Sequence, residues 1–247
     1  MTARRVRWFS AGAASAIATA IDVGEHGADA GPVCYIDTGS EHPDNVRFVA
    51  DVGEWLGVTV QVLRSDRYCS VDDVIDKRRY LNGPGGALCT TELKKKVRQA
   101  FQQPDDVQVF GYTADKADAE RAVRFAANNF EVNLVTPLIA HNLTKGNVLA
   151  MLERAGIPLP AMYLLGYRNN NCLGCVKGGM GYWNRVRVDF PEVFARRAQQ
   201  EREIGHSCIR GTFLDELDPD AGNYAAEDIT CSLDCTPAEQ LLPEVRR

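Results

Sequence analysis

Several things are scarce in this sequence of 247 residues, and each scarcity closes off a class of protein. No apolar run approaches the length needed to cross a bilayer. Positive charge is not in excess: 28 Lys and Arg stand against 33 Asp and Glu, for a formal charge of −5. That argues against a broad nucleic-acid-coating surface, though it leaves room for a local basic groove. Histidines number four, and His26, His42, His141 and His206 show no paired metal-ligand spacing. Neither common phosphate loop occurs, since there is no G-x-G-x-x-G and no G-x-x-x-x-G-K-[ST]. Internal repeats and low-complexity segments are absent. The first arginines run straight into a strand with no apolar signal region, so a cytoplasmic protein is expected.

Cysteine is what the sequence has in plenty, with eight residues. In a reducing compartment, and in a chain long enough to bury a substantial core, disulfide staples are neither expected nor needed. Metal binding, an iron–sulfur cluster or thiol chemistry are the remaining explanations. Cys34 lies in an apolar strand and reads as core, while Cys69 belongs to no motif.

The chain is organised around Val6 to Ile21, which reads as a buried strand, a loop of small residues and an alanine-rich helix. Ser10, Gly12 and Ser15 sit where strand turns to helix. Small side chains there let a phosphate reach backbone N–H groups, and the helix N-terminus favours its charge. Tight strand–helix packing is the plain alternative. Pro32 to Ile36 is a second strand, ending in Asp37, Thr38, Gly39 and Glu41, where a parallel sheet presents its ligand-facing rim. Asn45 to Leu56 has helical spacing of Val46, Val49, Val52 and Leu56, and Val58 to Leu63 is a third strand.

Residues 64–90 break the pattern with a basic tract and the turn Asn82-Gly83-Pro84-Gly85-Gly86. Cys89-Thr90 opens a helix carrying Lys94, Lys95, Lys96 and Arg98, either a solvated face or cations beside the phosphate loop. Asp106 to Phe110 is a fourth strand, leading to Gly111-Tyr112-Thr113 and a helix with Arg121. Val132 to Ile139 is a fifth strand interrupted by Pro137, and Thr144 to Ala155 is a helix. The alternation predicts an α/β protein with a doubly wound, mostly parallel five-stranded sheet. Residues 1–160 form the expected nucleotide-binding unit, and 161–247 a cysteine-rich extension packed on it. In that extension, 169–184 is a Gly- and Cys-rich loop with Cys172-x-x-Cys175, followed by a helix from Pro191 to Ile204. An acidic, loosely held tail carries Cys231 and Cys235.

These residues together resemble a known family. Asp37-Thr38-Gly39-x-Glu41-x-Pro43-Asp44 resembles the D-T-G-x-x-x-P-E-T motif of phosphoadenylyl-sulfate (PAPS) reductases, members of the PP-loop or adenine nucleotide alpha-hydrolase superfamily. Ser10-x-Gly12-x-x-Ser15 is similar to that superfamily's S-G-G-x-D-S loop in its relaxed form, and Gly111-Tyr112-Thr113 with Arg121 to its G-x-R…R segment. The adenylyl-sulfate branch holds a [4Fe-4S] cluster with a Cys-Cys pair followed by R-K-V, and a distant C-x-x-C. Here Cys89 precedes Lys95-Lys96-Val97, and Cys172 and Cys175 supply the second motif. Thiolates so placed suit a cluster, and a zinc site uses the same residue types.

Departures are informative. The loop lacks the Asp that pyrophosphatase-type members use, Ala11 stands for the first Gly, and Thr113 for the arginine. The cysteine pair is a single Cys89, so a fourth ligand would come from Cys208, Cys231, Cys235 or outside the chain. The reductases' E-C-G-L-H tail is absent, and Cys231-x-x-x-Cys235 occupies a similar C-terminal place.

The resemblance implies an adenine nucleotide bound on Ser10, Gly12 and Ser15, with Lys94 to Lys96 and Arg121 as cation partners. It implies thiol-dependent release of sulfite from PAPS or adenylyl sulfate, with Cys231 and Cys235 as catalytic thiols and a thioredoxin-type reductant as partner. Two other readings stand beside it. One is ATP-dependent sulfur insertion into a nucleic acid held by the basic tracts and the G-G-M-G-Y-W-N stretch. The other is a non-catalytic nucleotide sensor.

Overall fold

The computed structural model describes residues 3–224, 238 and 240–244. Five short strands form one all-parallel sheet: β1 (Arg5–Trp8), β2 (Val33–Ile36), β3 (Val60–Leu63), β4 (Val107–Val109) and β5 (Asn133–Val135), in the order β3-β2-β1-β4-β5. β1 is central, pairing Arg7 with Val33 of β2 and with Val109 of β4. The chain winds outward from β1 to β3 and then restarts at β4, so the order reverses between β1 and β4. In such sheets the crevice at the carboxyl ends of those two strands is where ligands bind.

Alternation along β1 sends its side chains to two different cores. Phe9, just past the strand, joins the larger core with helix α1 (Ala13–His26), α2 (Asn45–Leu56) and the Lys145–Arg154 helix. Val6 and Trp8 point the other way, where Cys34, Phe101 and Phe110 pack. Burial on both faces is what a parallel strand requires. α1 is made of small residues because it lies flat on the sheet, and Ile17 and Ile21 are its fully buried anchors. Each contributes about 1.5–3 kcal/mol by leaving water.

Helix α2 has the expected ends, and of its periodic residues Val52 and Leu56 are buried and Val49 packs against the core, while Val46 does not face it. Phe48, Val52 and Trp55 are buried, whereas Val46 is 78% exposed. Three further segments differ from the sequence reading. α3 (Val71–Arg78) lies in the stretch read as irregular. Ser70 caps it by accepting the Asp73 N–H at 3.0 Å, with Asp72 and Asp73 in its first turn and Lys77 and Arg78 in its last. Pro137 does not interrupt a long β5; it opens a separate short helix, Pro137–Ala140, at a position where its missing N–H costs nothing. The expected 169–184 loop ends early, because Met180–Asp189 is helical and buries Tyr182, Trp183 and Val186. Trp183, at 0% exposure, sits in an aromatic core with Tyr167 and Leu214.

The tail is docked where it is described. Ala238 is buried, Leu241 and Leu242 pack on the α1–α2 core, and Trp55 Nε1 donates to the Pro243 carbonyl at 2.8 Å. A Cβ on Gly24 would lie 1.9 Å from the Leu241 carbonyl oxygen, so α1 needs glycine there. Cys231 and Cys235 lie outside the described residues.

Candidate functional site

The carboxyl ends of β1, β2 and β4 open into a cavity of about 420 Å³. Its floor is the loop from β1 to α1, which Trp8 and Phe9 hand over from the strand. Ala11 takes a positive φ of 55°, a conformation that favours glycine. Asn170 holds this turn, donating from Nδ2 to the Ala11 carbonyl at 2.6 Å and to Asn45 Oδ1 at 2.7 Å. Ser10, Gly12 and Ser15 all line the cavity. The Ser10 N–H donates to Ser15 Oγ at 3.0 Å, the two hydroxyls lie 3.1 Å apart, and Ser15 Oγ donates to the Gly12 carbonyl at 2.9 Å. At the start of α1 the Ala13 N–H donates to Tyr163 Oη at 3.3 Å, so a hydroxyl stands where an anion's oxygen would sit. Gly111 borders the loop too closely for any side chain, since a Cβ would lie 2.7 Å from Ser15 Cα.

The D-T-G segment divides its duties. Glu41 lines the cavity. Asp37, Thr38 and Gly39 stand behind it. Asp37 accepts the Gly39 N–H at 2.8 Å and pairs with Arg64 at 2.6 Å. Buried Thr38 donates its hydroxyl to Glu41 Oε1 at 2.6 Å and sits 3.2 Å from Cys172 Sγ. Gly39 has φ +67° and lies against the Cys69 carbonyl, where a Cβ would come within 2.0 Å. The motif thus ties the cavity rim to the C-x-x-C.

The cations also part company. Lys94, Lys95 and Arg121 line the cavity, and Arg121 is paired with Asp118 at 2.6 Å. Lys96 turns away to Glu92 at 2.8 Å. Thr113, in the arginine position of the related motif, is buried and bonds Asp115 at 2.8 Å and Asp118 at 3.1 Å, so it organises its own loop. Arg98, weighed with the lysines as a cation beside the loop but not counted among the nucleotide's partners, is buried in the cavity wall with Phe110 and Tyr112. Its place four residues after Lys94, on the same helical face, was a usable signal. Asn169, Asn170, Asn171 and Tyr163 complete the far wall and had no motif to mark them.

Next to this wall the cysteines gather. Residues 88–101 run as one helix with a π-helical stretch at Thr91–Lys95, which carries Lys94. Cys89 and Cys208 pack against the apolar cluster that contains Cys172, and Cys175 and Cys208 against the neighbouring aromatic core. Burial pushes the Cys172 thiol up to about 11, against the pull of Lys94, and it raises Cys89 and Cys208 as well. For Lys94, burial acts downward, but Cys172, Glu41, Cys175 and Cys89 outweigh it and hold the ammonium above its ordinary value. The buried carboxylate of Glu201 fixes Cys208 by accepting its N–H at 2.5 Å and that of Leu214 at 2.6 Å. Among the described residues, no three His, Cys, Asp or Glu side chains are close enough to grip one metal ion.

Comparison with known proteins shows the family. The sequence model of one family, the phosphoadenosine phosphosulfate reductase domain, matches residues 5–178. No curated protein matches the chain.

Proposed function

Because the chain belongs to the phosphoadenosine phosphosulfate reductase domain family, we propose that it cleaves an adenine sulfonucleotide reductively and releases sulfite. One observation carries the reading: Lys94 lines the nucleotide cavity and at the same time lies in the field of Cys89, Cys172 and Cys175. A phosphate-binding loop and a thiol-rich, electropositive pocket are therefore the two sides of one residue. Ser10, Gly12 and Ser15 would take the phosphate, with Lys95 and Arg121 beside it.

The donor set suits a [4Fe-4S] cluster. Four thiols, from Cys89, Cys172, Cys175 and Cys208, gather on two adjoining clusters, Cys89, Cys172 and Cys175 of them in the field of Lys94, and buried Arg197 lies under the C-x-x-C near Gly174. Such charges favour anionic thiolates, which burial alone disfavours. A single zinc would need its sulfurs drawn to about 3.8 Å of one another, whereas a cluster binds each thiolate on a separate iron and accepts a wider set. When bound, the cluster would add a charged, redox-capable neighbour to Lys94.

The chemistry needs two further thiols. A thiolate attacks the sulfonate sulfur, the bond from sulfur to the phosphate oxygen breaks, and AMP or its 3′-phosphate leaves with the electron pair. A second thiolate attacks the resulting S-sulfocysteine, forming a disulfide and releasing sulfite with the electrons. Two thiols are oxidised as sulfur is reduced, and a thioredoxin-type dithiol restores them. Cys231 and Cys235 are the candidates.

The test is sulfite release from PAPS and from adenylyl sulfate with a thioredoxin-type reductant. Wild type should release sulfite, and Cys231→Ser with Cys235→Ser should not, with nucleotide affinity and iron content unchanged. AMP formed from ATP only when RNA or DNA is supplied, with no sulfite, would replace this reading with sulfur transfer. That alternative loses one support here, because Tyr182 and Trp183 of the G-G-M-G-Y-W-N stretch are buried and offer no stacking face.

A further inference from the structure

Arg98 is 8% exposed, lines the cavity, and makes no side-chain hydrogen bond or ion pair among the described residues. Its guanidinium lies 4.9 Å from the Phe125 ring centre and 5.6 Å from that of Phe110. Phe110 stacks on Tyr112 at 5.9 Å, and Arg121 covers Tyr112 at 5.6 Å. The wall is thus a ladder that runs Phe125, Arg98, Phe110, Tyr112, Arg121. Glu131 and Tyr112 act on Arg98 only through space, and burial, the larger influence, pulls its pKa below the usual arginine value.

The magnitudes decide what this arrangement is for. A cation over an aromatic face gains less than burying a charge without a partner costs. Two ring contacts therefore leave the guanidinium short of compensation, although they hold its plane in place. A nearly buried guanidinium whose Nε has no partner, with no carboxylate beside it, is suited to two oxygens of a tetrahedral anion. The Ser10–Ser15 loop already provides for one phosphate, and Arg98 stands across the cavity wall with Lys94 and Lys95.

We propose that Arg98 is an oxyanion receptor, which binds the second anionic group of the nucleotide, the sulfate or phosphate beyond the one held at the α1 loop. This rests on the nucleotide reading above for the identity of the ligand, but not for the anion chemistry. It makes Arg98 a specificity residue: a nucleoside reaches neither anion site, a monophosphate fills the loop, and only ligands with a further oxyanion engage the ladder.

Calorimetric titration of the full chain tests it, using adenosine, AMP, ADP and adenylyl sulfate, with inorganic pyrophosphate and sulfate as nucleoside-free probes. Arg98→Gln should weaken adenylyl sulfate and ADP by roughly 10- to 100-fold, the range for hydrogen bonds to charged groups. Adenosine and AMP should change less than about twofold, and Arg98→Lys should restore part of the loss. The thermal midpoint of Arg98→Gln should equal or exceed that of wild type, because an unpaired buried charge is removed. Equal affinity of Arg98→Gln and wild type for adenylyl sulfate and ADP would overturn the proposal and leave the nucleotide reading standing. Equal weakening of adenosine, or a lowered midpoint, would make Arg98 structural and also overturn it. If no adenine nucleotide binds wild type while pyrophosphate or sulfate does, and Arg98→Gln loses it, the nucleotide reading fails and the receptor stands. Binding of none of these ligands by wild type would overturn both.

Discussion

Within β1 Arg7 is fully buried, and beside the cavity at the carboxyl end of the sheet Arg98 is nearly so. The first has every need met inside the protein. Arg7 Nε donates to Asp22 at 2.7 Å, and its terminal nitrogens donate to the carbonyls of Gly27 at 2.7 Å, Gly31 at 3.0 Å and Ala28 at 3.2 Å. Arg5 closes the other side of the same carboxylate. The second has two phenyl faces and no carboxylate. The same side chain is a structural clamp where the chain supplies the anion and a ligand receptor where it does not. Around Lys94 the contrast repeats, because it lies in the field of three thiols and Glu41 with no ion pair formed among the described residues.

The largest effect should come from breaking the paired end. Asp22→Ala strands Arg7 without its counter-charge and should cost about 3–5 kcal/mol in urea unfolding. A loss below about 1 kcal/mol would mean that the carbonyls alone suffice and would erase the contrast. Next comes the ligand end. A Cβ on Gly12 would meet only Tyr163 Oη at 3.4 Å and Ser10 Oγ at 3.8 Å, so folding should survive Gly12→Val while its methyls fill the phosphate's space. Adenine nucleotide affinity should fall roughly 10- to 100-fold by calorimetry, with little change in unfolding midpoint. Normal affinity in a folded variant would displace the site from the α1 loop.

The thiol side is read by iron. Anaerobically purified protein should contain iron and labile sulfide, and Cys208→Ser should lose iron as Cys89→Ser, Cys172→Ser and Cys175→Ser do. Exposed Cys69 is the control, and Cys69→Ser should keep its full content. Retention of all iron in Cys208→Ser would return the fourth position to the tail or to an outside ligand. Stoichiometric zinc without sulfide would replace the cluster reading.

The smallest effect concerns acid. Arg4 holds the Asp106 carboxyl below its ordinary value against the opposing effect of burial, and Arg47 lowers Asp44. Both folded values lie under the unfolded 3.8. The stability these carboxylates contribute is therefore whole above pH 3.8 and lost as pH falls through the lower folded values. Denaturation midpoints should be flat on this account from pH 7 to 5 and drop below about 4. Asp106→Asn should shrink the drop, whereas Arg98→Gln should leave it untouched.

Reading the chain without its structure went furthest where a pattern is local. The Pro191–Ile204 helix and α2 have the expected bounds because Pro at a first turn and Gly after a last one are chemical stops. The inward face of α2 was legible at Val49, Val52 and Leu56 and missed only at its first turn, since Val46 and Phe48 both fit a helical period and packing chooses between them. α3 was missed although Ser70 and the charges at its two ends signal a helix, because a basic tract drew attention away from Val71, Val74 and Ile75. At the site, Ser10, Gly12, Ser15, Glu41, Lys94, Lys95, Gly111 and Arg121 do line one cavity. Lys96 and Asp37 do not, because their charges found Glu92 and Arg64 first.

The sequence by itself determined the alternation of strands and helices, the small residues at the turn into α1, and the D-T-G and C-x-x-C motifs. Each is a rule about neighbours along the chain: side-chain size, period, and backbone conformation. Only the tertiary structure decided which charges are spent on one another and which are kept. Asp22 reaches Arg7 from α1, Thr38 reaches Cys172 across more than half the chain, and Arg98 meets Phe110 and Phe125 instead of a carboxylate. Pairing of this kind depends on distance and dielectric, and the fold fixes both by bringing remote residues together in a space that excludes water.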